Sequence, residues 1–156
     1  MKIKITELAG IALDYTVAKL EGYNVGVLTP AEQRERFLNG ARPEELEMLE
    51  KIAGAFKAKL CIISEDGYKN SMPNEFVTMV PFMSGPARIE YSTSWLQAGP
   101  IIERERMLLK PLDDQWRVYT YDQDTWQYGD TPLVAAMRCY VMSELGPEID
   151  VPEELL

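Results

Sequence analysis

"YSTSWLQAGPIIERER", residues 91–106, governs how the chain is divided into elements, because it joins a turn signal to an alternating segment well past the middle of the sequence. A tyrosine and three small hydroxyl residues lead into Trp95, Gly99-Pro100 turns the chain, and two isoleucines run into four alternating charges. Read as a strand, residues 101–109 put Ile102, Arg104, Arg106 and Leu108 on one face. Ile101, Glu103, Glu105, Met107 and Leu109 take the other.

Its neighbours extend that pattern. "KLCIISED", "EFVTMVPFM", "ARIEYS", "PIIERERMLL" and "WRVYTY" are short segments rich in β-branched and aromatic residues, separated by Gly, Pro, Asn and Asp clusters, and they read as an antiparallel meander. Helices flank it. "MKIKI" is a strand or extended arm, and "ELAGIALDYTVAKLEG" then spaces Leu13, Val17 and Leu20 as a helix does before Gly22. "TPAEQRERFLNG" has a Thr29-x-x-Glu32 capping box, Pro30 at the first helical position and Gly40 as stop. "EELEMLEKIAGAFKAKL" reads as one helix with a stripe of Leu46, Leu49, Ala53, Phe56 and Leu60. "GDTPLVAAMRCYVMSELG" closes the domain, with Thr131 as N-cap, Pro132 behind it, and Gly146 as stop. Its stripe is Leu133, Met137, Tyr140, Val141 and Leu145. The acidic tail, residues 147–156, is expected to be loose beyond one docked strand or turn.

Strands flanked by helices without strict alternation give an α+β fold, an antiparallel sheet of about five strands with three to four helices packed against it. Function is then expected on the open face of the sheet or on its connecting loops.

Composition narrows the chemistry. The 156 residues fit a single domain spanning 1–156, and 46% hydrophobic with 26% charged residues excludes a disordered chain. No apolar run approaches a membrane span, and the N-terminal lysines have no apolar block behind them, so no membrane partner and a cytoplasmic location are expected. Cys61 and Cys139 lie in apolar surroundings without metal-type spacing and read as small buried hydrophobes. With no histidine, the commonest general base, the usual nucleophile pairs and most zinc sites are missing. A net charge of −9 repels duplex nucleic acid.

Three passages recur together in a recognisable order: "MKIKITELAGIALDYTVAK", "YSTSWLQAGPIIERE" and "TPLVAAMRCYVMSELGPEIDVPEEL". Together they resemble the NinX-like family, small proteins encoded among the accessory genes of lambdoid phages and prophages. Ser94 stands where the family's middle motif has aspartate, and Ala98 where it has the first of two glycines. The resemblance implies that residues 23–86 are an insertion or elaboration, and it places the chain in the context of counter-defence and host-takeover genes.

The candidate site residues are Tyr91, Ser92, Thr93, Ser94, Trp95, Gly99, Pro100, Arg104, Arg106 and Arg138. Trp95 reads either as an aromatic anchor of the core or as a plane on which a base stacks. The hydroxyls before it offer donors and acceptors, and Gly99-Pro100 lets backbone approach a ligand. On a strand, Arg104 and Arg106 would stand about 7 Å apart, a spacing for two phosphates, unless they meet cross-strand acids instead. Arg138 would be a third cation if its helix face turns to the sheet. Trp116, Tyr119, Tyr121, Trp126 and Tyr128 read mostly as core, since Tyr119 and Tyr121 share a strand face that Trp116 does not. Asp122-x-Asp124 lacks the ligands of a calcium loop.

These features lead to a non-catalytic binding protein, without cofactor, for a small nucleotide-like ligand, in the manner of a phage protein sequestering a host immune signal. One alternative is an inhibitor whose acidic helix "PEELEMLE" and acidic tail dock on a basic host protein, imitating DNA. Another is a histidine-free nucleotide-cleaving enzyme using Glu103 or Asp122. Nothing specifies a seam between copies, so monomer and homo-oligomer both stay open.

Overall fold

The computed structural model describes residues 1–65, 67–71 and 88–156. Strand β1 (Lys2–Lys4) passes through a 3₁₀ turn into α1 (Gly10–Leu20). β2 (Val25–Leu28), α2 (Pro30–Leu38), α3 (Leu46–Ala53), β3 (Lys59–Ile63) and β4 (Lys69–Ser71) follow. After residue 88 come α4 (Trp95–Arg104), β5 (Leu108–Pro111), β6 (Trp116–Tyr119), β7 (Trp126–Gly129), α5 (Pro132–Leu145) and β8 (Glu148–Asp150).

The class is α+β, but among the described residues the strands form three small antiparallel sheets rather than one of five strands: β1-β8, β2-β3-β4 and β5-β6-β7. α5 organises them. Its buried residues, Leu133, Ala135, Ala136, Met137, Cys139, Tyr140 and Val141, go most of the way round, so one neighbour cannot cover it. The β5-β6-β7 sheet, α1, α4 and β8 all pack on it. Thr131 caps it as expected, accepting from Val134 N–H at 3.2 Å, and Gly146 ends it at φ +86°.

Two stretches depart from expectation in type or length. Residues 101–104 are helical, so "PIIERERMLL" is the end of α4, a turn and then β5. Pro100 lies inside α4 and cannot donate to the carbonyl of Leu96, but Leu96 is 88% exposed, so water can take that acceptor. Burial of Ala98 and Ile101, three residues apart, outweighs the loss. The helix expected over residues 44–60 stops at Ala53, where Gly54 begins a tight turn that frees residues 59–63 for β3.

Elsewhere, residues 91–93 form a turn rather than the end of a strand, and "EFVTMVPFM" lies outside the described residues. The tail is packed rather than loose: β8 pairs with β1, and Val151 and Leu155 are buried.

β7 and α5 approach so closely that a Cβ added at Gly129 would sit 2.5 Å from the backbone nitrogen of Ala135. No side-chain rotation relieves a clash with backbone. Gly129→Ala should therefore cost about 1–3 kcal/mol, read as a fall in the urea midpoint. An unchanged midpoint would contradict this packing.

Candidate functional site

The hydroxyl-rich turn is held from two sides. From α1, Asp14 Oδ1 accepts the backbone N–H of Ser92 at 2.7 Å. From α4, Gln97 Oε1 accepts Glu90 N–H at 2.9 Å, and Gln97 Nε2 donates to the Arg88 carbonyl at 2.7 Å. Between this turn, the start of α1 and the start of β3 lies a cavity of about 340 Å³. Ile11, Leu60 and Ile89 give it apolar walls, while Asp14, Ser92, Thr93, Lys59, Arg88 and Glu90 supply polar groups.

Asp14 is 7% exposed. Burial pushes its carboxyl up to about 6 from an ordinary 3.8, helped by the charge of Glu90 and opposed by hydrogen bonds from Ser92. Arg88 pairs with Glu90 at 3.0 Å, whereas Lys59 makes no ion pair among the described residues. The cavity thus combines a carboxylate acceptor, an ammonium without an acid partner among the described residues, and an apolar slot.

Of the residues expected from sequence, Ser92 and Thr93 line this cavity. Tyr91 points into the core, its phenol pushed above the ordinary value by burial. Ser94 precedes α4 without capping it by its side chain, and Trp95, the first helical residue, is 55% exposed. Gly99 and Pro100 lie along α4, so they do not form a phosphate-facing turn.

The arginines do not converge. Arg104 sits at the far end of α4, about 14 Å from Trp95 along the axis by the helical rise. It holds Glu21 through both terminal nitrogens at 2.7 and 3.0 Å, and its Nε donates to Glu105 at 2.8 Å. Tyr140 donates to the same Glu21 at 2.8 Å, so the network joins the ends of α1 and α4 to α5. Arg106 lies in the turn after α4 at φ 52°, with its guanidinium 4.0 Å from the centre of the Tyr121 ring. Arg138 donates to the carbonyls of Leu8 and Tyr128 at 2.7 and 3.0 Å.

Sequence reasoning passed over Asp14, Lys59, Arg88 and Gln97. Asp14 carried a signal, because it shares a helix face with Val17 and Ala18, where a carboxylate is out of place. The other three become visible only when the segments meet in space. Cys61 and Cys139 are fully buried, and burial pushes the Cys139 thiol up to about 12. Among the described residues no cluster of three or more His, Cys, Asp or Glu side chains is arranged to hold a metal, and no helix is long and apolar enough to cross a membrane.

The family model described as "Bacteriophage P22, NinX" matches residues 4–144, a range that includes every residue lining the cavity and runs through residues 23–86. No curated protein matches the chain.

The Asp14 carboxyl binds its proton more tightly folded than unfolded, so its contribution to stability is greatest below pH 4 and is lost as pH rises through about 6. At neutral pH the charged group costs about 3 kcal/mol by this linkage. Asp14→Asn keeps an acceptor for Ser92 and removes the charge. It should stabilise the protein at pH 7, with the gain shrinking towards pH 4. Urea titrations at both pH values measure this, and a loss of stability at pH 7 would count against it.

Proposed function

The chain belongs to the Bacteriophage P22 NinX family, and from that premise we propose that it is a non-catalytic phage protein acting in the host cytoplasm. Its ligand is a small phosphorylated, nucleotide-like molecule, of the kind that serves as a host immune signal, held in the cavity between α1 and the 88–93 turn. The observation that carries this reading is the Asp14 carboxylate in the cavity lining, bonded to the Ser92 N–H, with Lys59 and Arg88 in the same lining.

A volume of about 340 Å³ falls within the roughly 300–1,000 Å³ of small-ligand sites. A nucleotide matches the chemistry group by group. Its base fits between Ile11, Leu60 and Ile89; ribose hydroxyls or base N–H groups donate to Asp14; and phosphate meets Lys59 and the N–H groups opening α1, which no side chain caps. Sequestration needs only this.

A panel of cyclic dinucleotides and ADP-ribose derivatives, tested by thermal shift and calorimetry, decides the matter. At least one should raise the melting temperature and release or absorb heat on binding. Asp14→Asn, although more stable, should bind it at least tenfold more weakly, about 1.4 kcal/mol. Lys59→Ala should weaken it while leaving the fold intact. Flat results with the whole panel in both measurements would end the proposal.

One observation favours a second reading, docking on a basic host protein. On α3 the apolar Met48 and Ile52, one helical turn apart, are 60% and 48% exposed, and Glu44, Glu47 and Glu50 stand nearby in the chain. Such binding should weaken strongly with salt and with Met48→Lys, and be indifferent to Asp14→Asn. Pull-downs at low and high salt test it.

A further inference from the structure

The β5-β6-β7 sheet has one face on α5, and among the described residues no other element packs on the second. Val118, Gln127 and Gly129 are buried on the α5 side. The pairing register then lines up two rows on the outer side: Leu108, Tyr119 and Trp126, and beside them Lys110, Arg117 and Tyr128. Trp126, expected as core, is 47% exposed.

Arg117 sits among the rings. Its guanidinium carbon is 4.6 Å from the centre of Tyr128, 5.4 Å from Trp126 and 6.0 Å from Tyr119. It donates to the hydroxyls of Tyr119 and Tyr128, and its Nε is buried without a partner among the described residues. Lys110 stands directly across from it. Like charges in that position repel, and among the described residues neither makes an ion pair, although the chain has nine more acids than bases. At the edge of the sheet Arg106, likewise without an ion pair, stacks on Tyr121.

We propose that this face binds single-stranded nucleic acid, its bases stacking on Trp126, Tyr119 and Tyr121 and its phosphates lying against Lys110, Arg117 and Arg106. Every base has a π-face, so exposed aromatic planes recognise a strand whatever its sequence, while cations between them track the backbone. Several neighbouring features exclude other ligands. Arg117 already fills the ring cluster, which leaves no cage for a methylated cation. The net charge of −9 opposes the dense phosphate array of a duplex more than a short strand.

The test is fluorescence anisotropy with fluorescein-labelled oligothymidylate and oligouridylate of about 12 residues, beside a duplex of the same length. Both single strands should bind at 50 mM salt, more tightly than the duplex. Raising salt to 200 mM should weaken them roughly 7- to 18-fold, for two or three neutralised phosphates. Trp126→Ala should weaken binding by at least about fivefold. Lys110→Glu, at an exposed position where folding is not at stake, should do so as well and flatten the salt dependence. Asp14→Asn should leave strand binding unchanged, which separates this surface from the cavity. No anisotropy change at 50 mM salt, duplex bound as tightly as single strand, or binding indifferent to both Trp126→Ala and Lys110→Glu would each overturn the proposal.

Discussion

The approach of β7 to α5 is the constraint from which the rest of the arrangement follows. Gly129 leaves room for backbone to lie against backbone at Ala135, and the small side chains of Ala135 and Ala136 are themselves fully buried. With that contact made, the inner face of the β5-β6-β7 sheet is used up, and every large outward residue of β6 and β7 is left to the solvent side. Opposite faces of α5 are then free for α1 and α4. The hydrogen bonds of Arg138 and Tyr140 extend the helix to the 3₁₀ turn, to β7 and to Glu21.

Charge is distributed with the same economy. Among the described residues six of the 16 basic side chains pair with carboxylates: Arg34, Arg42, Lys51, Lys69, Arg88 and Arg104. Such pairs on the surface contribute little stability each, typically about 0–1 kcal/mol. Of the cations without an acid partner among the described residues, four stand at the two surfaces: Lys59 at the cavity, Lys110 and Arg117 on the sheet, and Arg106 over Tyr121. With carboxylates abundant, a cation that meets only rings or water is a position where an external anion gains most.

Local signals were legible in the sequence, and non-local ones were not. Thr29-x-x-Glu32, Thr131-Pro132 and Gly146 specify helix ends through bonds that span a few residues, and each forms as read. "IIERER" alternates like a strand, yet Ala98 and Ile101 also satisfy a helical period, and tertiary burial selected the second. Whether Pro100 breaks a helix depended on where the orphaned carbonyl points, which no pattern reveals. The shared face of Arg117 and Tyr119 follows from strand alternation alone. Adding Trp126 and Tyr128 to it requires the register set by the turn at residues 120–125, where Thr120 N–H donates to the Thr125 carbonyl at 2.9 Å. Asp14 and Ser92 are 78 residues apart, so their contact belongs to the fold rather than to any motif.

The passage at residues 91–105 that carries the family resemblance is therefore mainly architectural. Tyr91, Ala98 and Ile101 fill core, Gln97 latches the turn before it, and Arg104 ties three helices through Glu21 and Tyr140. Ser92 is the exception, since its backbone fixes the Asp14 carboxylate in the lining of a cavity. A carboxylate with neutral alternatives of the same shape is costly in that position, and the surrounding bonds orient it without neutralising it. Structural need would be met by asparagine, which accepts the same hydrogen bond. What distinguishes aspartate there is a second oxygen that accepts where the amide nitrogen of asparagine would donate.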